Sequence, residues 1–425
     1  MGNQTSVPPH AQPAPAPAGR GWIVALALAS VGIFAAWFGP LQILLPEQAR
    51  VIAEQSSIGK ESLLATVTGI GALVSMVCNP LWGYLSDRIK TPVGKRVPVA
   101  IAGTVLGICG LVVLYAAESG PVLVLGWAIV QAGFNGPFAA FTALIADRVP
   151  QEQRGVVGAL FGVGQIAGVV AGTAVATVVG AQPVGYLALA VAAPTLMAAL
   201  VITSARGDLA AGGATRSGAE VPTFAQNSVE AVDSHAFTIT AQFAWAWLMR
   251  FLMNVVNAVV LLYLYYYLVD QIGIAEPADY VLIITLVSVL LSAIFAAVGG
   301  FWSDKLSRRR VFVVGGALAM ALGAALLGVV STVATTIAAG AIVGVGWGLY
   351  LAVDIAIITA VLPAQSSAAT MLGVANVASS LPQVLVPLIA APIVTGFAGY
   401  FGFYVVGVLA ALLAIGCVRM VTVLR

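Results

Sequence analysis

Charge is what this chain has least of. Asp, Glu, Lys and Arg together make up 8% of its 425 residues, against 60% hydrophobic ones, where a water-soluble domain carries about 25% charge. That scarcity excludes a chain facing water on all sides and points to lipid as its solvent. A net charge of +2 is too small to attract nucleic acid. Histidine occurs twice, as His10 and His235 in polar stretches, so a histidine-based catalytic or zinc site is not expected. The three cysteines, Cys78, Cys109 and Cys417, lie far apart inside apolar runs and read as buried free thiols, neither disulfides nor metal ligands. No G-x-x-x-x-G-K-S/T loop is present to cradle a nucleotide phosphate. An enzyme is not expected: the apolar runs hold neither a histidine cluster nor a second deep acid. No cofactor or metal is expected either.

What the chain does have is long apolar runs. A helix needs about 20 apolar residues to cross a bilayer, and the sequence supplies twelve such runs, near 22–45, 61–84, 97–116, 121–146, 155–179, 184–204, 238–268, 278–302, 310–330, 333–361, 367–392 and 397–419. Several are separated by proline, as at Pro46, Pro121, Pro183 and Pro363. Gly39-Pro40 and Pro382 fall within runs and predict kinks. Cation placement supports the count. With the amino terminus inside, fifteen of the 18 Lys and Arg face inward, Arg50 and Lys60 face outward, and Arg250 lies within a run; this is the positive-inside pattern. Both termini are expected to be cytoplasmic, in a multi-pass protein of the cell membrane. Residues 1–19 are rich in Pro and Ala and predict a disordered tail, and Met1 to Ser6 fit a myristoylation pattern. Residues 206–236 predict a cytoplasmic linker between an N-terminal six-helix bundle, 20–205, and a C-terminal one, 237–425. The fifth run carries Gly158, Gly162, Gly164, Gly168 and Gly172, mostly at four-residue spacing, which allows helices to approach closely.

The second run ends in Gly83-Tyr84-Leu85-Ser86-Asp87-Arg88, and after a short gap comes Gly94-Lys95-Arg96. This is a charged hairpin between two spans. It recurs as Gly300-Phe301-Trp302-Ser303-Asp304-Lys305 with Arg308-Arg309-Arg310, at a constant offset of 217 for Gly83, Ser86, Asp87 and Arg88. A half-length repeat in an apolar chain suggests a transporter of two similar bundles. The hairpin resembles the loop signature of the major facilitator superfamily, over Arg20 to Arg419. The form Ser86-Asp87-Arg88…Gly94-Lys95-Arg96-Val97-Pro98, together with Asn135-Gly136-Pro137…Asp147, is similar to the sucrose-type, cation-coupled symporter branch. The resemblance implies an all-α fold of twelve spans in two pseudo-symmetric six-helix bundles, alternating access, and a central cavity lined by spans one, four, seven and ten. It also implies a cytoplasmic gate at Gly83, Asp87, Arg88, Lys95, Arg96, Asp147, Arg154, Asp304 and Lys305.

Two charges lie deep in spans, Arg250 in the seventh and Asp354 in the tenth. A central charge costs about 2.5–3.5 kcal/mol on insertion scales, so each needs a compensating role. Each lies about six residues, or roughly 9 Å, on the cytoplasmic side of its span's midpoint. They read as a charge pair at one depth, with Asp354 the group able to exchange a proton. Helical phase places Arg250, Asn254 and Asn257 on one stripe, Trp347, Tyr350 and Asp354 on another, and Gln131, Asn135, Phe138 and Thr142 on a third. Amides and aromatics sharing a face suit a polyol substrate; the same amides can instead bond between helices. Asn376 is a further cavity candidate. The run Tyr263, Tyr265, Tyr266 and Tyr267 reads as an interfacial aromatic belt, and Trp245 and Trp247 likewise. The expected function is secondary transport of a small polar solute, a sugar or glycoside, coupled to protons or another cation by a protein acting as a monomer. The alternative is proton-driven efflux of amphipathic compounds.

Overall fold

The computed structural model describes residues 18–150, 153–215, 240–306, 308–362, 368–396 and 399–422. Among these the regular structure is all helix, and twelve helices are long and apolar enough to cross a membrane. They are α1 Arg20–Glu54, α2 Lys60–Arg88, α3 Arg96–Tyr115, α4 Gly120–Arg148, α5 Arg154–Val178 and α6 Val184–Thr215. The second six are α7 Ala241–Leu262, α8 Pro277–Leu306, α9 Arg309–Val329, α10 Val333–Ala360, α11 Ala368–Gly396 and α12 Gly399–Met420.

Three boundaries differ from those expected. Helix α1 does not end at Pro46 but continues to Glu54. Helix α6 runs to Thr215, ten residues into the expected linker; no proline intervenes in 206–215, and Leu209-Ala210-Ala211 favour helix where Gly207, Gly212 and Gly213 do not. The seventh run is broken. Helix α7 ends at Leu262, and a short helix, Leu264–Asp270, resumes after Tyr263. The residues of the expected tail before Ala18, and linker residues 216–236, lie outside the described part of the chain. The kink expected at Gly39-Pro40 takes a definite form, a π-helical turn over Pro40–Leu44. Proline has no N–H to donate and crowds the preceding turn, and a wider turn relieves both.

Helices α1–α6 pack among themselves, as do α7–α12, and the two sets meet through α2 against α11 and α5 against α8. This is the two-bundle architecture expected. The glycines of α5 divide into two groups. A Cβ on Gly168 would lie 2.6 Å from the Phe34 Cβ and 2.7 Å from the Val31 carbonyl, and one on Gly172 would collide with the Ala35 backbone. Gly158 and Gly162, nearer the chain termini, have nothing within 4 Å. Close packing on α1 therefore explains Gly168 and Gly172 and leaves Gly158 unexplained. Gly168→Ala is expected to destabilise by about 1–3 kcal/mol through overpacking. Gly158→Ala is expected to be neutral or to stabilise by up to about 1 kcal/mol, since Ala is the better helix former. Thermal unfolding of the two variants, side by side, checks this.

Candidate substrate and coupling site

The two deep charges meet. Arg250 Nη1 lies 3.4 Å from Asp354 Oδ2, with the side chains 13% and 7% exposed. Each has a second partner. Arg250 Nε donates to Ser379 Oγ on α11 at 2.9 Å, and the Tyr350 hydroxyl, one turn earlier on α10, donates to Asp354 Oδ1 at 2.5 Å. The result is a chain of four side chains, Ser379–Arg250–Asp354–Tyr350, joining α7, α10 and α11. It lies wholly within the second bundle. Desolvation makes such a pair interact strongly and makes each charge costly alone. The Trp347 and Tyr350 rings lie 5.3 Å apart and extend this site along α10.

The remaining candidates fare differently. Asn135 is 2% exposed. It accepts from Asn79 at 3.0 Å, and its own amide donates to Ser75 Oγ and the Gln131 carbonyl. In this conformation it is a clasp between α2 and α4 with its hydrogen bonds taken up, not a free donor. Asn254 donates back to the Arg250 carbonyl at 2.9 Å. Gln131 and Asn257 are half-buried and Asn376 is exposed. Phe138 packs in an aromatic cluster with Phe34, Trp37 and Phe161, its ring centroid 6.0, 5.6 and 6.3 Å from theirs.

At the end of the molecule that holds the chain termini, Arg96 gathers the charged hairpin. It is 8% exposed and pairs with Asp87 at 2.8 Å and Asp147 at 2.8 Å, while also donating to Ser86 Oγ. Lys95 stands 3.8 and 3.9 Å from the same two acids. One guanidinium thus ties α2, α3 and α4 together. Arg154 caps the end of α4 by donating to the Ala146 and Val149 carbonyls. Arg88 leaves the network and lies over the Tyr84 ring, 4.2 Å from its centroid. Gly94 has φ +82°, the left-handed conformation a tight hairpin demands. Gly83 has nothing within 4 Å, so close approach does not explain it here. The second copy is less acidic. Lys305 is exposed, Arg309 donates to the Ala356 carbonyl at the end of α10, where the first copy has Asp147, and the side chain of Asp304 lies outside the described residues.

The opposite end, far from the termini, holds residues that sequence reasoning missed. The tyrosines read as a belt, Tyr263, Tyr265, Tyr266 and Tyr267, are 0–3% exposed and face protein. Tyr263 donates to the Glu61 carbonyl, Tyr265 to Glu47 Oε2 at 3.0 Å, and Tyr266 to the Pro46 carbonyl at 2.9 Å, each bond crossing from second bundle to first. Lys60 bridges to Asp270 at 2.5 Å, and Tyr400 donates to the same carboxylate. Deeper in, Gln42 on the π turn accepts from Thr285 of α8 at 2.9 Å. Trp247, also assigned to a belt, instead donates to the Val374 carbonyl. The signal that was available lay in the cations. Arg50 and Lys60 break the inward bias, and they form the ion pairs of the far end. Among the described residues, no hydrogen bond joins the bundles at the terminal end. This conformation is locked at the far end.

Comparison with known proteins gives the family. The sequence pattern of the Major Facilitator Superfamily matches residues 24–290 and again 246–425. The chain belongs to this superfamily. Members are membrane transporters, so family and fold are those of a multi-pass membrane protein and not of an enzyme. Solved structures with the same fold include the peptide transporter POT in complex with sulfate, at TM-score 0.71 and 15% identity over 95% of this chain and 96% of that one. The nucleoside transporter NupG gives TM-score 0.67 and 12% identity over 94% of this chain and 97% of that one. At these identities the likeness shows the fold alone. Among curated proteins, the class C tetracycline resistance protein of Escherichia coli is 35% identical over 152 residues. That match spans 34% of this chain and 36% of that protein.

Proposed function

We infer that this superfamily member is a secondary active transporter of a small polar solute, driven by protons through Asp354, with the first bundle near 20–205 rocking against the second near 237–425. The observation that carries this reading is the buried Arg250–Asp354 pair, 3.4 Å apart and flanked by Tyr350 and Ser379. In this conformation the guanidinium is the counter-charge of the buried carboxyl. When a solute or a helix movement takes the guanidinium away, a proton can take its place as the compensating charge. The pair therefore converts a change of contacts into uptake or release of one proton. Gln131, Asn257, Asn376, Trp347 and Tyr350 supply the amides and rings that would hold the solute, with a sugar or glycoside as the class the hairpin resemblance favours. Asn135 becomes available only if α2 and α4 part, whereas Asn254 has one N–H engaged, by the Arg250 carbonyl of its own helix.

With the cations facing inward, the far-end lock is extracellular and the structure is the inward-facing state. The hairpin residues Gly83, Asp87, Arg88, Lys95, Arg96, Asp147, Arg154, Asp304 and Lys305 then form the cytoplasmic gate, which closes when the far end opens. Single cysteines at positions 56 and 217 in a cysteine-free background test this topology. A membrane-impermeant reagent on intact cells is expected to label position 56 and not 217. Labelling at 217 would reverse the orientation.

A second reading is export of amphipathic compounds in exchange for protons. It is favoured by the 35% identity over 152 residues to a tetracycline resistance protein and by the aromatic cluster of Phe34, Trp37, Phe138 and Phe161 beside the predicted cavity. Thermal-shift screening of the purified protein against sugars, glycosides, organic acids and common drugs decides between the two. Stabilisation by sugars alone supports the first reading, and stabilisation by drugs alone replaces it with the second.

A further inference from the structure

The two bundles balance their charge differently at the terminal end. In the first, cations meet acids: Arg96 pairs with Asp87 and Asp147, and Arg148 with Asp208. In the second, Lys305, Arg308, Arg309, Arg310 and Arg419 stand against a single acid, Asp304. Five cations and one acid leave a surplus of four positive charges, however Asp304 is placed. We propose that the second bundle binds an anionic phospholipid here, its headgroup between Arg308 and Arg419 and its acyl chains along α9 and α12.

Two of the five cations have a role in the fold. Arg309 donates to the Ala356 carbonyl in the last turns of α10 at 3.2 Å, and Arg310 to the Val421 carbonyl just past α12 at 2.9 Å. Cations are favourable at helix C-termini, but a neutral carbonyl does not cancel a full charge. Lys305, Arg308 and Arg419 are exposed and, among the described residues, have no side-chain hydrogen bond or ion pair. The Arg310 bond also fixes the geometry. It holds the start of α9 to the end of α12, two helices that pack along each other, so Arg308 and Arg419 flank one junction. Like charges crowded there repel. Arg308, Arg309 and Arg310 open α9, whose first turn holds no acid, and a helix start is where a cation is least favourable. An anion at the junction relieves both.

The surroundings select a lipid over a soluble anion. On α9, Arg308 is in phase with Val311, Leu318 and Leu322, and on α12, Arg419 is in phase with Leu412 and Leu409. All five apolar residues are exposed. Each arginine therefore ends a stripe of hydrocarbon that faces outward from the bundle. Long cationic side chains reach the headgroup level while apolar residues on the same face meet the chains. A free phosphate would use the cations and leave the stripes without a partner. An excess of cations at one membrane face is general in such proteins; their lack of acids and their convergence on one helix junction are particular to the second bundle.

The test is native mass spectrometry of the full chain in detergent, a measurement independent of orientation and of the transport reading. It is titrated with phosphatidylglycerol, with phosphatidylcholine of the same acyl chains, and with glycerol 1-phosphate, which has the charge but no chains. Phosphatidylglycerol is expected to bind at least about tenfold more tightly than either. Arg308→Gln/Arg419→Gln is expected to weaken it at least about tenfold, and either single change about fivefold, with the thermal midpoint of the lipid-free protein unmoved in the single variants. Arg20→Gln/Lys90→Gln removes two exposed cations from the terminal end of the first bundle and is expected to bind the lipid as the parent does. Equal binding of the two lipids overturns the proposal. So does glycerol 1-phosphate binding as tightly as the lipid, since the site would then be one for a soluble anion. Equal weakening in the two double variants also overturns it, because total charge and not this junction would then hold the lipid.

Discussion

Replacing either member of the central pair alone, Arg250→Gln or Asp354→Asn, is expected to destabilise the protein by about 3–5 kcal/mol, while replacing both restores most of that loss. The reason lies in the geometry. At 3.4 Å and 13% and 7% exposure, each charge has exchanged water for the other. Asn at position 354 keeps an oxygen for the Tyr350 hydroxyl, so what it removes is the counter-charge and not that hydrogen bond. Gln at position 250 leaves a buried carboxylate with Tyr350 as its single neutral partner. In the double variant no buried charge remains, and two amides can meet in the space. Yield of monodisperse protein and thermal midpoint, measured for all four forms, read the effect. A double variant no more stable than the worse single one would show that the two charges do not stabilise each other, and Arg250 would be better explained as a docking point for an anionic solute.

Asp354→Asn is also expected to abolish accumulation of solute against its gradient while sparing exchange of labelled for unlabelled solute. Accumulation requires a proton to be bound on one side and released on the other, and Asp354 is the only carboxylate buried at this depth among the described residues. Exchange needs only that the loaded protein change state, which an amide permits. The loss should be complete, because no neighbouring acid stands ready to take over. The stability-restoring double variant should also fail to concentrate solute. If it recovers both stability and uphill transport, the pair is structural and the coupling site is elsewhere.

Much of this architecture is legible in the sequence because bilayer thickness imposes run length, and twelve runs of the required length are present. The pair is legible for a related reason. A charge is so unfavourable in an apolar helix that two of them, at one depth, imply each other. The tyrosine run is where the reading goes wrong. Aromatics at the end of a span look alike in sequence whether they meet headgroups or another bundle. Only the positions of Pro46, Glu47 and Glu61 in the folded chain show that Tyr266, Tyr265 and Tyr263 bond across the interface. Asn135 teaches a similar lesson. Helical phase places it on a face, but phase does not say that Asn79 and Ser75 of α2 occupy that face. The α5 glycines share a spacing, yet α1 comes close only along part of that helix, so Gly168 is constrained and Gly158 is not. Chain pattern gives direction and depth; which neighbour fills the space is decided by packing between distant segments.

The measurement that bears most directly on this account is proton movement driven by solute. Protein in liposomes suspended in a weakly buffered medium, with no imposed gradient, is given the solute identified by thermal shift, and the external pH is followed. The expected result is a pH change that scales with solute moved, is abolished by a protonophore, and is absent for Asp354→Asn although that variant still exchanges solute. Solute movement in the parent protein with no accompanying pH change, or an unaltered pH change in Asp354→Asn, would contradict it.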